Sequence, residues 1–538
     1  VLLAVVETWQ NRRRELLEGS EHLTGAIRQQ MELPTPEQAD GREETLSGAL
    51  HNLQRGFDPI HGGWGEGPKF PQPMALEFLL RHHSRTGDEQ ALRLVTQTLE
   101  AMARGGIYDQ LGGGFHRYAV DDRWQVPHFE KMLYDNAQLA RVYLHAWQVT
   151  DLPIYRVIAE ETLDYVLREM TAPSGGFYAT QDADSEGEEG KFFLWTEQEI
   201  RDTLGEQATP LIQTYGVTAS GNFEGRNILA LAGSLEERTA LAAARRELFA
   251  VREQRIRPAR DEKIIVAWNG LMLAALAEAA RALGRNDYLD TAERGAAFLL
   301  QEMMSDDGRL RHTWQGGAAQ GNGFLDDYTN FIAGLLELYQ TTFDPGWYRA
   351  ARKLAEAMIA HFSAPVGFFD TASDGEALIV RPRELQDHAT PSGNGMAAFV
   401  LLRLAALAAE PGYAEIALRS LDSLQPLLAR YPLGFGQWLI ALDEAVAERR
   451  EIAIAGAPEA ADSRALLDVC HNGYRPHQVI AVGLDQENPV PLLQGCGQIA
   501  GRAAAYICAH STCHPPITEA EELRERLAEL DHTRRGGS

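Results

Sequence analysis

Apolar residues recur every three or four positions along most of the chain, and polar breaks cut that pattern into helix-length segments. The periodicity predicts helices over 44–55, 74–86, 89–104, 129–150, 153–171, 267–284, 287–304, 325–343, 346–362, 393–409, 411–429 and 433–449. One amphipathic helix over 1–30 precedes them, followed by a polar linker at Pro34 and Pro36. Pro127 suits the first turn of the helix from 129, where its absent N–H costs nothing. Beyond residue 450 the pattern changes. EIAIAG, QVIAVGL and AAAYIC read as short buried strands, with helices at 463–470 and 518–530 and an HTRRGGS tail expected to be disordered.

The helices repeat in pairs. DLPIYRVIAEE, GRNDYLDTAER, DPGWYRAARKL and EPGYAEIALRS each open a second helix with a tyrosine, namely Tyr155, Tyr288, Tyr348 and Tyr413. The last two gaps are 60 and 65 residues, and the first is 133 because of an insertion near 175–262. Each second helix except the last leads into a glycine-marked segment: GGFYATQDAD, DDGRLRHTW or VGFFDTASD. Self-similarity at this period means stacked helical hairpins. Twelve helices close a ring of six hairpins, inner alternating with outer, and an open solenoid is the alternative.

The densest chemistry lies in GGIYDQLGGGFHRYAVDDRWQVPHFEKMLYDNAQLA, residues 105–140. Gly112, Gly113 and Gly114 predict a tight loop. His128 and Asp135 are seven residues apart, about two helical turns, and so are expected on one face. Asp135 and Asn136 on the apolar side of a helix are costly unless paired or used. Polar groups recur at other first-helix starts: Trp268-Asn269-Gly270, Asp326-Asp327-Tyr328 and Ser392-Gly393-Asn394. N-capping accounts for any one of them. Four in corresponding places predict helix starts converging on one concave mouth.

The groups gathered there suit a sugar. Trp64, Phe115, Trp124 and Trp268 either stack on a pyranose or fill the core. His116, Arg117, Asn136, Asp182, Asp184, Asn269, Tyr328 and Asn394 offer hydrogen bonds, and with Trp124 and Trp268 they form the expected binding set. Hydrolysis needs two carboxyl groups, and Asp135 with Asp182, Asp184 or Asp327 supplies such a pair. Epimerisation needs a near-neutral base. His128 fits if a helix N-terminus keeps it uncharged, with His116 or His388 as partner. The catalytic candidates are therefore His128, Asp135, Asp327 and His388. QDADSEGEEG (181–190) has a calcium-loop spacing but lacks the sixth-position Gly and twelfth-position Glu, so it reads as a solvated acidic loop. Cys508 and Cys513, with His510 and His514, either bind a metal or form a disulfide, and their spacing is not that of a zinc finger. No phosphate loop, dinucleotide fingerprint or nucleophile elbow occurs, and no cofactor or resident metal is expected.

Composition narrows the partners. A net charge of −26 argues against nucleic acid. No run of about 18 apolar residues occurs, so no membrane span is expected. The four cysteines (Cys470, Cys496, Cys508 and Cys513) are too few for a disulfide framework and predict a reducing, cytoplasmic setting. The opening VLLAVVETWQ has no Met and no signal-peptide order, and reads as a helix already under way, so the true N-terminus is expected upstream.

The 105–140 segment, QDADSEGEEGKFFLW, GNFEGRNIL, WNGLM and the YIC-x4-C-x-P tail together resemble the family of spermatogenesis-associated protein 20 and its bacterial thioredoxin-domain-containing relatives. The resemblance covers essentially the whole chain. It implies a mainly α fold: an (α/α)6 toroid over 37–450, similar to N-acylglucosamine 2-epimerase and six-hairpin glycosidases, then a small α/β unit with its tail over 451–538. It also implies that 1–36 are the last helix and linker of a thioredoxin-like domain. That domain normally shares the chain and carries a Cys-x-x-Cys motif, which is absent here. The function implied is carbohydrate metabolism, epimerase-like or hydrolase-like, around residues 112–136. The alternative is a non-catalytic sugar- or protein-binding scaffold partnering the redox domain.

Overall fold

The computed structural model describes residues 1–31, 33, 41–484, 490–509 and 512–536. The expected first helix is two, α1 (Leu2–Asn11) and α2 (Arg13–Met31), because Arg12 leaves helical geometry at φ −137°. The expected linker at Pro34 and Pro36 lies outside the described residues.

From α3 (Arg42–Gly56) onward the hairpins follow the predicted order: α4 (Pro73–Thr86), α5 (Glu89–Arg104), α6 (Leu133–Thr150) and α7 (Pro153–Tyr165). The insertion then supplies α8 (Glu197–Leu204), α9 (Ala208–Thr214), α10 (Leu235–Ala240) and α11 (Ala242–Arg252). The hairpins resume with α12 (Val266–Leu283), α13 (Asn286–Glu302), α14 (Leu325–Thr342), α15 (Pro345–Phe362), α16 (Gly393–Ala408), α17 (Pro411–Arg430) and α18 (Gly436–Val446).

Helices α4, α6, α12, α14, α16 and α18 pack each on the next, and α18 packs back on α4. The ring is closed, so the open solenoid is excluded. Helix α3 packs on α17 and α18, so the first helix of the ring completes its last hairpin. The outer helices are one-sided. Helix α5, for example, buries Ala91, Leu94, Val95, Leu99 and Met102 at spacings of one, three and four. The inner helices are buried all round: between Leu325 and Gln340 of α14, every residue except Asp326 is buried. Gly270 lets α12 approach α14, since a Cβ there would sit 2.4 Å from the carbonyl carbon of Asn330.

Helix α6 starts at Leu133, four residues later than predicted. Pro127–His128 pairs with Tyr118–Ala119, and Lys131–Met132 pairs with Thr180–Gln181. Strand pairing therefore takes the backbone that the proline was read as committing to a helix, and His128 shares no helical face with Asp135.

The polar helix starts and the glycine-marked segments turn out to be one device. Asn136 Oδ1 accepts from the Phe115 N–H at 2.7 Å, while its Nδ2 donates to Phe115 O at 3.1 Å and Met132 O at 2.8 Å. Asn269 makes the same three bonds to Phe177 and Ile265, at 2.7, 3.0 and 2.9 Å. Asn394 clamps Phe368 at 2.8 and 3.0 Å, and the Tyr328 hydroxyl accepts from the Leu310 N–H at 2.9 Å. Each strut ties a loop after an outer helix to the start of an inner one. Gly114 (φ 79°) makes the approach possible, because a Cβ there would lie 2.5 Å from the Tyr165 ring.

The last part of the chain forms a four-stranded sheet in the order Gln478–Gly483, Arg450–Ala455, Ala504–Ala509, Thr512–Cys513. The first pair is parallel and the others antiparallel. It carries α19 (Ala461–His471) and α20 (Ala520–Gly536). Helix α20 runs through most of the expected tail, whose last two residues lie outside the described ones. Cys508 and Cys513 form a disulfide, and His510 lies outside the described residues. Among the described residues, no helix is long and apolar enough to cross a membrane.

Removing the Asn269 strut takes away the side-chain partners of the buried Phe177 N–H and C=O and one of those of Ile265 C=O. Asn269→Ala is expected to cost about 2–4 kcal/mol, read as a lower midpoint in urea denaturation. A loss under about 0.5 kcal/mol would contradict the strut role.

Candidate functional site

The six inner helices begin on one face of the ring. Asp135, Trp268 and Asp327 hold the third positions of α6, α12 and α14. Their fates differ. Asp327 is fully engaged: Oδ1 accepts from the Ala267 N–H at 2.9 Å, and Oδ2 accepts from the Phe324 N–H at 2.8 Å and pairs with His312 Nδ1 at 2.9 Å. It joins the starts of α12 and α14 and is held by all three bonds. Asp135 is the opposite case. It is buried, and its Oδ2 meets no hydrogen-bond partner. Burial pushes its pKa well above the carboxylate range, Glu130 adds to the rise, and Arg117 opposes it only in part. Burial therefore favours the protonated, uncharged form of Asp135.

Around it, Arg117 pairs with Glu130 at 3.1 Å, and Trp268 meets Tyr134 edge to face at 4.8 Å. Trp268 is only partly buried and keeps surface for a ligand. A second aromatic tier runs along the rim: Phe70 stacks on Tyr118 at 4.9 Å, and Tyr118 faces His128 at 5.3 Å. On α14, Asp326 is pushed up to about 7 by burial and by neighbouring Asp327. Asp370 beside it is raised to about 6, again mainly by burial.

Several predicted site residues do other work. His116 is buried between Phe129 and Phe193, its Nδ1 bonded to Phe129 O, and burial lowers it to about 3. Trp124 is fully buried, with Nε1 donating to His61 O; Trp64 and Phe115 are buried as well. Asn136, Asn269, Asn394 and Tyr328 are struts. His388 is 68% exposed and faces Glu384 at 3.6 Å. Asp182 and Asp184 are exposed on the acidic hairpin. His128 pairs with Glu189 at 2.7 Å and faces Glu130 at 3.5 Å, so its neighbours are carboxylates rather than helix N–H groups. Of the predicted set, Asp135, Arg117 and Trp268 gather at the mouth, with His128 beside them.

Below the mouth the axis is hollow. A first cavity encloses about 750 Å³, part of it open to solvent, between residues such as Pro391 and Gln437 near the rim and Arg81 and Arg403 in the depths. A second, of about 660 Å³, continues from Arg81 and Arg403 to Tyr474 and Gln478 of the C-terminal unit. That unit therefore forms the floor. Tyr474 donates to Glu77 at 2.6 Å, Gln340 Oε1 accepts from the Ile480 N–H at 3.2 Å, and His477 Nε2 bonds to Asp443 at 2.5 Å. Sequence reasoning passed over these shaft residues. Their signal was present as single charges inside otherwise apolar helices: Glu77 and Arg81 in MALEFLLR, Glu337 in LLELY and Arg403 in VLLRLAAL.

His145 sits between Glu77 (2.7 Å) and Glu278 (3.1 Å). Burial disfavours its cation, but the two carboxylates outweigh that and hold its pKa at about 9, against 6.5 when free. A raised pKa stabilises the fold fully below about pH 6.5, and the contribution disappears as pH rises through 9. The Tm of the wild type is therefore expected to fall more steeply between pH 7 and 10 than that of His145→Gln. Parallel curves from thermal denaturation would contradict this.

A comparison with protein-family models finds no match. Among characterised sequences, the chain is similar to human spermatogenesis-associated protein 20, with 33% identity over 98% of this chain and 75% of the human protein. The rat protein of that name is also 33% identical, over 98% and 74%. Solved structures with a similar arrangement include an unsaturated glucuronyl hydrolase specific for heparin (TM-score 0.48, 12% identity, 75% of this chain and 96% of that one). Another is cellobiose 2-epimerase from Spirochaeta thermophila (TM-score 0.46, 14% identity, 72% and 84%). The near-complete coverage at one-third identity places this chain in the spermatogenesis-associated protein 20 family.

Proposed function

We propose that the mouth carries out acid–base chemistry on a carbohydrate, with Asp135 as the proton donor. The observation that carries this reading is a buried carboxyl group with Oδ2 unpartnered at the start of an inner helix, where burial favours its protonated form. A neutral acid beside an ionised carboxylate is the arrangement that glycoside hydrolysis requires. Glu130, held by Arg117, is the nearby carboxylate. Trp268 with Tyr134, and Phe70 with Tyr118, offer flat apolar surfaces of the kind that stack on sugar rings.

Hydrolase-like chemistry is favoured over epimerisation. Epimerisation calls for a histidine base, and His128 stands beside the mouth paired with Glu189 but without either expected partner, since His116 is sealed in the core and His388 projects into solvent. In the proposed reaction, Asp135 protonates the glycosidic oxygen as its bond to the anomeric carbon breaks. Glu130 takes a proton from the water molecule that attacks that carbon, the sugar leaves with the water's hydroxyl, and the proton returns through solvent to Asp135.

The test is proton NMR of the protein with a panel of glycosides, N-acyl sugars and free sugars in heavy water. New anomeric signals are expected, with kcat/KM falling as pH rises through the raised pKa of Asp135. Asp135→Asn is expected to lose at least about 100-fold in turnover. Loss of a C2 proton without bond cleavage would mean epimerisation. An unaffected Asp135→Asn variant would remove Asp135 from the mechanism.

A further inference from the structure

The axial shaft holds a charge arrangement that acid–base chemistry at the mouth does not use. Five arginines line it (Arg81, Arg141, Arg281, Arg403 and Arg475), together with the cationic His145. Three carboxylates, Glu77, Glu278 and Glu337, face the same space. A surplus of cations is unexpected inside a chain whose net charge is −26.

Pairing explains all but one of the arginines. Arg81 meets Asp443 at 3.4 Å and also bonds Glu444. Arg141 meets Glu278 at 2.8 Å, Arg281 meets Glu337 at 2.8 Å, and Arg475 meets Asp531 at 3.5 Å. Among the described residues, Arg403 has no carboxylate within 4.0 Å. It is 6% exposed, and its bonds are two long ones, 3.4 Å each, to the carbonyls of Pro476 and Gln478. It lines both cavities, at the point where they meet.

Arg403 lies ten residues into α16, which puts it about 15 Å below the helix start. Asp135 lies only two residues into α6, about 3 Å down. The backbone of Arg403 is thus roughly 12 Å further along its helix than that of Asp135. Glu444 and Glu337 oppose the Arg403 charge only from a distance, so no carboxylate fills its guanidinium fork, and that fork matches a two-oxygen anion.

We propose that the shaft is an oxyanion site, taking a carboxylate or phosphate group with Arg403 as its principal ligand. Arg81 and Arg141, which line the same cavity, add positive potential. The anion completes the pairing of the shaft and, through Pro476 and Gln478, braces the C-terminal unit against the ring. This site is independent of the proposed chemistry at Asp135, because its readout is binding rather than turnover.

The experiment is thermal denaturation of the full chain at constant ionic strength, titrated with inorganic phosphate, with glucuronate and with neutral glucose. An oxyanion is expected to raise Tm by about 1–2 °C at tenfold over its Kd, rising with the logarithm of concentration, and glucose is not. Arg403→Leu is expected to abolish the response. Without ligand it should match or exceed the wild-type Tm, since a buried charge that touches no carboxylate has been removed. A response to phosphate alone would assign a free or phosphoryl anion, and a response to glucuronate alone would assign an acidic sugar. No response to either anion in the wild type would overturn the proposal. So would an Arg403→Leu variant that responds as the wild type does. A lower ligand-free Tm for Arg403→Leu, with no anion response in the wild type, would leave Arg403 as a tie to the two carbonyls and likewise overturn it.

Discussion

Helices buried on every side leave their polar side chains few destinations. Water is excluded, so each polar group on α6, α12, α14 and α16 must bond the chain's own backbone, meet another charge, or face the axis. The Asn and Tyr328 struts take the first course and thereby fix where each hairpin's loop meets the ring. Asp327 takes it too, joining two neighbouring helix starts. Asp135 does not, and it is this exception that gives the mouth its chemistry: the burial that would penalise a carboxylate here stabilises the protonated acid.

The two ends of the ring are built for different tasks. At the N-terminal ends of the inner helices, carboxyl groups are raised by burial and aromatic faces stand partly open. Toward the C-terminal ends, carboxylates and arginines pair, and the small α/β unit closes the axis with Tyr474, His477 and Gln478. Cation excess at depth and acids at the rim give the shaft a polarity that would draw an anionic group inward. The sheet that supplies the floor is covalently pinned at one edge by Cys508–Cys513.

Much of this fold was legible as periodicity. The twelve helices lie within a few residues of their predicted limits because an all-round apolar or one-sided pattern leaves a strong signal over sixteen or so residues. The misreading at 127–132 arose because Pro127 is equally at home in a helix's first turn and at the edge of a two-residue strand, and only the partners at 118–119 and 180–181 decide. The site was harder to read. Trp124 and His116 carry polar tips whether they face substrate or a carbonyl in the core, and both found carbonyls. Asn136, Asn269 and Asn394 were recognised as a set, but a repeat in sequence marks a repeated structural need as readily as a shared pocket. Glu130, Tyr134 and Arg403 were passed over because their roles depend on neighbours distant in the chain.

The central claim is the neutrality of the Asp135 carboxyl, and infrared difference spectroscopy of the wild type against Asp135→Asn at pH 7 tests it most directly. The account predicts a protonated carboxylic C=O band present in the wild type, absent from the variant, and lost from the wild type only at distinctly alkaline pH. A wild-type spectrum showing only ionised carboxylate at this position would contradict it and would leave the mouth without its proton donor.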